Sequence, residues 1–270
     1  NASANVEYAQ FWACDQDGFS RKAQHTCSTS LPNRNTCQMV YSWAPGADDF
    51  RLPEGVAFST GRNEVLDRMI VVVKFENPPT GQDAGFILTY NTTEPEHEAG
   101  IMTIGVKESS LSIEGERTSF EIGNTCENTC ALLGKWQIFS ATPLMNAFGT
   151  GIHASYFRKG VLKRFFLRDD DYKTQPDATV FFTDKPTKQE RDNERVEVDK
   201  NDFFSVECLY DTTSTNETLD GGNDFRRTET CLTFLNYYPR HAGIKTCVDN
   251  ECKNISGDAD YHTNIIVNYI

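Results

Sequence analysis

The sequence predicts an all-β protein made of two antiparallel β-sandwich (jelly-roll-like) domains stapled by disulfides. Three observations carry that expectation. Apolar and β-branched runs of strand length recur between turn signals. Helical periodicity over ten or more residues is scarce. Nine cysteines are spread through 270 residues.

Taken in chain order, the strand-like runs are residues 69–75, 86–90, 101–106, 136–139, 161–167, 179–183, 196–198, 203–209, 231–238 and 265–269. Between the second and third of these lies 91–98, a polar segment with a proline and three glutamates. A domain boundary is placed there, near Glu94, giving an N-terminal domain at 1–95, a C-terminal domain at 96–250 and an extension at 251–270. A second polar stretch, 184–201, is highly charged and reads as an exposed loop or edge hairpin.

Composition narrows the function classes. With 38% hydrophobic and 11% aromatic residues the chain has enough apolar material for packed cores. A formal net charge of −13 repels phosphate backbones and anionic lipid, so neither nucleic acid nor an electrostatically bound membrane is expected as a partner. No apolar run approaches the ~18 residues of a membrane span. The polar start at Asn1 reads as a mature chain without a signal peptide.

The cysteines stand at 14, 27, 37, 126, 130, 208, 231, 247 and 252. Such a density fits a compartment where disulfides persist. Sequons at Asn1, Asn91, Asn216 and Asn254 point the same way, so a secreted, extracellular glycoprotein is expected. Cys126 and Cys130, with Cys247 and Cys252, are also spaced like a four-cysteine zinc site; an oxidising compartment favours disulfides.

Seven collinear strings then carry a resemblance: VEYAQFWACD (6–15), YSWAPGADDFRLPEGVAF (41–58), VVKFENP (72–78), EAGIMTIG (98–105), CENTC (126–130), FSVECLYDT (204–212) and ETCLTFLNYYP (229–239). Together they resemble the copper type II, ascorbate-dependent monooxygenases, the family of dopamine β-hydroxylase and peptidylglycine α-hydroxylating monooxygenase. The wording is nearer the dopamine β-hydroxylase branch. The resemblance implies two β-sandwich domains, each holding one copper across a solvent cleft.

In that family the first copper is held by an adjacent His-His pair and a His in a Val-His-Tyr string. The corresponding positions here are Glu7, Tyr8 and Lys74. The second is held by a His-x-His pair and a Met before a Cys; here the positions are Leu144, Asn146 and Thr230. Redox copper wants neutral imidazole and soft thioether ligands. Leucine offers no donor, threonine a poor one, and a lysine cation repels Cu²⁺. Five histidines, at 25, 97, 153, 241 and 262, are too scattered to rebuild two sites. No cofactor and no catalytic residue is therefore expected.

The resemblance also implies disulfides Cys14–Cys37, Cys126–Cys247, Cys130–Cys252 and Cys208–Cys231, leaving Cys27 over. The family counterpart of Cys27 bonds to a cysteine upstream of the His-His strand, a region this sequence does not contain. The N-terminal sandwich is then incomplete, and a half-sheet with unpaired edges is unstable alone. A second polypeptide that completes domain 1 through an interchain bond to Cys27 is expected, with a free thiol or a disulfide homodimer as the alternative.

Four lesser candidates remain. His97 stands among Glu94, Glu96 and Glu98, a hard-cation set or a solvated loop. His153 follows the Gly149-Thr150-Gly151 turn near the second copper position and is a displaced ligand, a base or an ordinary strand residue. The acidic loops at Asp15–Gly18 and Asp220–Asp224 resemble calcium loops without the closing glutamate. Arg158, Lys159, Lys163, Arg164 and Arg168 alternate with apolar residues, as on the wet side of a sandwich or against an anionic partner.

No nucleophile elbow, phosphate loop or zinc-protease helix is present. The leading expectation is a secreted, non-catalytic pseudoenzyme acting as a binding or assembly subunit, with an unknown ligand sought in the interdomain cleft. The alternatives are an enzyme using that cleft for other oxygen or small-molecule chemistry, and a structural component of the extracellular matrix.

Overall fold

A computed structural model describes residues 6–14, 32, 36–61, 65–76, 85–127, 135–172, 179–182, 196–199, 202–241, 246–248, 251–253 and 265–269. Its strands are β1 (Val6–Cys14), β2 (Cys37–Trp43), β3 (Val56–Thr60), β4 (Arg68–Phe75), β5 (Leu88–Asn91), β6 (His97–Glu98), β7 (Gly100–Gly105), β8 (Ser112–Ile113), β9 (Phe120–Glu127) and β10 (Trp136–Leu144). They continue with β11 (Gly149–Arg158), β12 (Val161–Asp169), β13 (Val180–Phe181), β14 (Val196–Val198), β15 (Asp202–Tyr210), β16 (Leu219–Asp220), β17 (Leu232–Tyr238), β18 (Thr246–Val248), β19 (Glu251–Lys253) and β20 (Ile265–Tyr269). The protein is all-β, with no α-helix among the described residues and, among them, no helix able to cross a membrane.

A seven-stranded sheet, ordered β13-β10-β17-β7-β18-β19 with β14 also on β10, runs through the middle of the molecule. Every residue of β7 and of β17 is buried. A strand reads as continuously apolar only when both faces of its sheet are covered. Along β17 the residues alternate accordingly: Leu235 and Tyr237 enter one core, while Leu232, Phe234 and Tyr238 enter the other.

The first core lies between this sheet and a four-stranded one ordered β12-β11-β15-β9. Residues of β15 alternate buried and half-buried along its length, as a strand with one wet face should. Trp136 packs edge-on against Tyr237 at 4.8 Å and meets Phe204 of β15 at 5.8 Å, so one indole joins the two layers. Two disulfides cross between the sheets, Cys126–Cys247 and Cys208–Cys231.

At the turn end of the β11–β12 hairpin the buried Asp202 receives Arg158 Nη2 at 2.8 Å, the Tyr156 hydroxyl at 2.9 Å and the Asp199 N–H at 2.7 Å. Burial pushes the Asp202 carboxyl up, but hydrogen bonds from Arg158, the Asp199 amide and Tyr156 outweigh it and hold the group below the usual carboxylate range.

The second core forms on the opposite face of the central sheet, beneath the N-terminal strands. The sheet β2-β1-β4 presents Trp12 to Phe234, ring to ring at 5.6 Å. Burying side chains of this size contributes about 1.5–3 kcal/mol each. Its other face carries an aromatic chain from Phe11 through Tyr41 and Phe50 to Phe58. Cys14 and Cys37, directly paired across β1 and β2, form a third disulfide.

Several polar groups at this layer boundary are bonded across it. Asn236 Nδ2 donates to Val40 O at 2.8 Å and to Ser140 Oγ at 2.7 Å, and Gln38 Nε2 donates to Thr103 Oγ1 at 3.1 Å. Ser42 and Thr179 exchange two bonds, Ser42 N–H to Thr179 Oγ1 at 2.9 Å and Thr179 N–H to Ser42 O at 3.0 Å. Glu94 lies between β5 and β6, and β6 pairs with β3 before the chain enters β7. The two halves nonetheless share the central sheet, and β2 lies directly on it, with Val40, Ser42, Ser140 and Asn236 all buried.

The Asp202 network gives a pH-dependent contribution to stability. A carboxyl held low in the folded state stabilises it above the unfolded carboxyl's range, and that contribution is lost as pH falls through the folded value. Asp202→Asn is expected to lower stability at neutral pH by about 2 kcal/mol, below the range for a fully buried pair because Arg158 is partly exposed. The gap to the parent should close on acidification in urea unfolding followed from pH 7 to 3.

Candidate functional site

The three first-site positions come together at the free end of the β1–β4 pair. Tyr8 is the direct cross-strand partner of Lys74, and the register shifts between Val6 and Tyr8. Such a bulge sets two successive residues against one on the neighbouring strand, which brings Glu7 to the same lysine. Lys74 Nζ lies 2.5 Å from Glu7 Oε2 and 5.8 Å from the centroid of the Tyr8 ring. The Glu7 side chain is mostly buried and Lys74 is about half exposed.

Chemically this is a closed arrangement. An ammonium has three donors and no lone pair, so Lys74 brings the positive charge that a metal would bring and ligates nothing. The residues at these positions do not fit a copper site.

The second-site positions also converge, around the turn that follows β10. Leu144 pairs with Leu232, Asn146 lies in the turn, and Thr230 precedes Cys231. All three are at least 98% buried. Asn146 Nδ2 donates to Thr228 O at 2.7 Å and to Gly222 O at 3.4 Å, and Thr230 Oγ1 donates to the same Gly222 O at 3.2 Å. A leucine methyl stands here beside an amide and a hydroxyl that both donate to backbone carbonyls. This set does not fit copper either.

Sequence reasoning passed over Glu229. Fully buried, it accepts N–H bonds from Asn146 at 3.1 Å, Thr230 at 3.2 Å and Phe148 at 2.7 Å. One carboxylate thereby clamps the β10–β11 turn to the start of β17. The signal was its place beside Thr230 in the string ETCLTFLNYYP.

The other candidates do not assemble. His97 stacks on Tyr238 at 5.7 Å, while Glu98 accepts a hydrogen bond from Ser59 at 2.6 Å and lies 3.6 Å from Arg240. Glu94 and Glu96 instead line a cavity of about 500 Å³ together with Arg51, Glu54, Gly55 and Asn91. His153 sits on the outer face of β11, away from the central sheet that carries Leu144 and Thr230. There its Nε2 meets Asp170 Oδ1 at 2.6 Å and its Nδ1 lies 3.7 Å from Glu207. The hydrogen bond to His153 holds the Asp170 carboxyl below its usual range, and the hydrogen bond to Glu207 pushes Glu121 up.

In the acidic loop after β16, Asp220 is bonded to Ser112 and Asp224 to the Arg226 amide. Among the described residues no three His, Cys, Asp or Glu side chains are grouped to hold a metal ion. Asn91 and Asn216 are exposed, as a glycan acceptor must be. Asn1, Asn254, Cys27, Cys130, His25, His262 and the loop at Asp15 lie outside the described residues, as does the side chain of Cys252.

Comparison with known proteins gives a consistent answer. The family model "Copper type II ascorbate-dependent monooxygenase, C-terminal domain" matches residues 97–259. DBH-like monooxygenase protein 1 of Homo sapiens is 26% identical over 218 residues, 76% of this chain and 34% of its own length. Putative DBH-like monooxygenase protein 2 of Homo sapiens is 24% identical over 90% of this chain and 48% of itself. MOXD1 homolog 1 of Drosophila melanogaster is 23% identical over 83% and 32% respectively. The chain spans between about a third and a half of the lengths of these relatives.

The clamp has a measurable weight. Replacing Glu229→Ala leaves three buried N–H groups without their acceptor, and a loss of about 3 kcal/mol or more is expected in urea unfolding. Glu229→Gln, which keeps one carbonyl acceptor, should lose distinctly less.

Proposed function

The chain belongs to the copper type II ascorbate-dependent monooxygenase family, and from that premise we propose that it is a non-catalytic member, a pseudoenzyme that binds or assembles with another polypeptide. The observation that carries this reading is the Glu7–Lys74 ion pair. A fixed cation stands at a position that the resemblance assigns to the first copper, and Leu144 with its hydrogen-bonded neighbours stands at those it assigns to the second, which supports the reading. Neither constellation offers imidazole or thioether to a redox metal, so no oxygen-activating step is assigned to this chain.

Three disulfides, together with exposed sequons at Asn91 and Asn216, support an extracellular or secretory-pathway location and N-glycosylation. Exposed apolar side chains support the partner. Phe86, Ile87, Leu88 and Tyr90 are between 37% and 74% exposed along one short segment, and Phe86 stacks edge-on over Phe11 of the N-terminal sheet. A patch of this kind marks a protein contact. We assign Cys27 as the interchain link to that partner.

Two measurements test these assignments. Metal analysis of the native glycoprotein, with ascorbate-dependent oxygen uptake on the same sample, is expected to find neither bound copper nor turnover; stoichiometric copper overturns the pseudoenzyme reading. Intact mass under non-reducing conditions is expected to exceed the reduced mass by a second polypeptide. A single chain with all nine cysteines accounted for refutes the linked partner.

A further inference from the structure

Toward the β11–β12 turn the outer face of the four-stranded sheet is apolar, unlike its His153–Glu207 region and unlike a solvated sandwich face. Leu162, Phe157 and Phe203 stand in one cross-strand row over β12, β11 and β15. The two phenylalanine rings are stacked at 4.7 Å and within 4° of parallel. In the next row Phe165 is followed by Ser155 and Ser205, whose small side chains leave a step beside it. The apolar shelf rises toward β12, where Val161, Leu162 and Phe165 are 57%, 43% and 40% exposed.

That side of the sheet is also its edge. Among the described residues β12 pairs with β11 alone, over nine residues, and is a long strand with one side of its ladder open. In a chain of net charge −13, the strand and its turn hold Lys159, Lys163, Arg164 and Arg168. Lys159 and Lys163 are exposed, and Arg168 lies over the Phe165 ring at 5.6 Å. A second copy of this chain is a poor occupant, since antiparallel pairing of two β12 edges sets lysines and arginines against one another.

We propose that β12 is a docking edge for an extended, acidic segment of another polypeptide. The segment adds to the sheet as a fifth strand by main-chain hydrogen bonding. Its apolar residues rest on Leu162 and Phe165, and its carboxylates face Lys159 and Lys163. This surface is separate from the Phe86–Tyr90 patch and does not depend on the absence of copper chemistry.

The test is fluorescence anisotropy of a labelled synthetic peptide of about ten residues, the length of a long strand, alternating valine and glutamate, with the full chain. Saturable binding that weakens with salt is expected, and Lys163→Glu should reduce affinity about tenfold. Phe165→Ser should weaken it without changing the salt dependence, both variants being matched to the parent in circular dichroism and melting. No binding, equal binding of a valine–lysine peptide, or unchanged affinity in Lys163→Glu overturns the proposal. Binding of heparin without binding of the glutamate peptide also overturns it, and identifies the edge as a sulfated-polysaccharide site.

Discussion

Strand β17 is buried along its whole length because the central sheet is covered twice, by the four-stranded sheet on one face and by the N-terminal strands on the other. Most of the remaining architecture follows from that double burial. Consecutive side chains of β17 serve different cores, so the strand cannot slip by one residue without exchanging Leu235 and Tyr237 for Phe234 and Tyr238. Polar groups meet partners across the layer boundary, Asn236 Nδ2 of β17 bonding Val40 O of β2 and Gln38 Nε2 of β2 bonding Thr103 of β7. The N-terminal strands are held by the same sheet that builds the C-terminal sandwich.

The two sets of residues at the positions that the resemblance assigns to copper differ in what holds them together. At the β1–β4 end, opposite charges are brought side by side by a bulge. After β10, hydrogen bonds to backbone carbonyls and the Glu229 carboxylate fill a buried space. Elsewhere the surface carries exposed apolar side chains at 86–90 and along β12.

Much of this was legible in the sequence, and the exceptions have physical causes. The runs at 161–167, 203–209 and 231–238 fall within or almost wholly within β12, β15 and β17, because apolar density over these stretches admits no other reading. Strands β9 and β11 escaped notice. β9 contains Gly123, Asn124 and Thr125, and β11 opens with Gly149-Thr150-Gly151, so both begin or centre on residues that elsewhere make turns. Glu229 was invisible as a site residue because a glutamate reads as solvated. Two of its three amide donors come from a turn more than eighty residues earlier in the chain. The chemistry at positions 7, 74 and 144 was readable from side-chain type alone, whereas the contact between Glu7 and Lys74 required the bulge.

The Lys74 ammonium has a consequence beyond the loss of ligands. A metal ion is an exchangeable component, gained or lost with supply, chelators and redox state. A lysine is encoded and arrives with the chain. The positive charge at the end of the β1–β4 pair is therefore present from synthesis onward, and the local geometry it holds is indifferent to copper availability. The contact between β1 and β4 at this end rests on encoded side chains and needs no exchangeable ion.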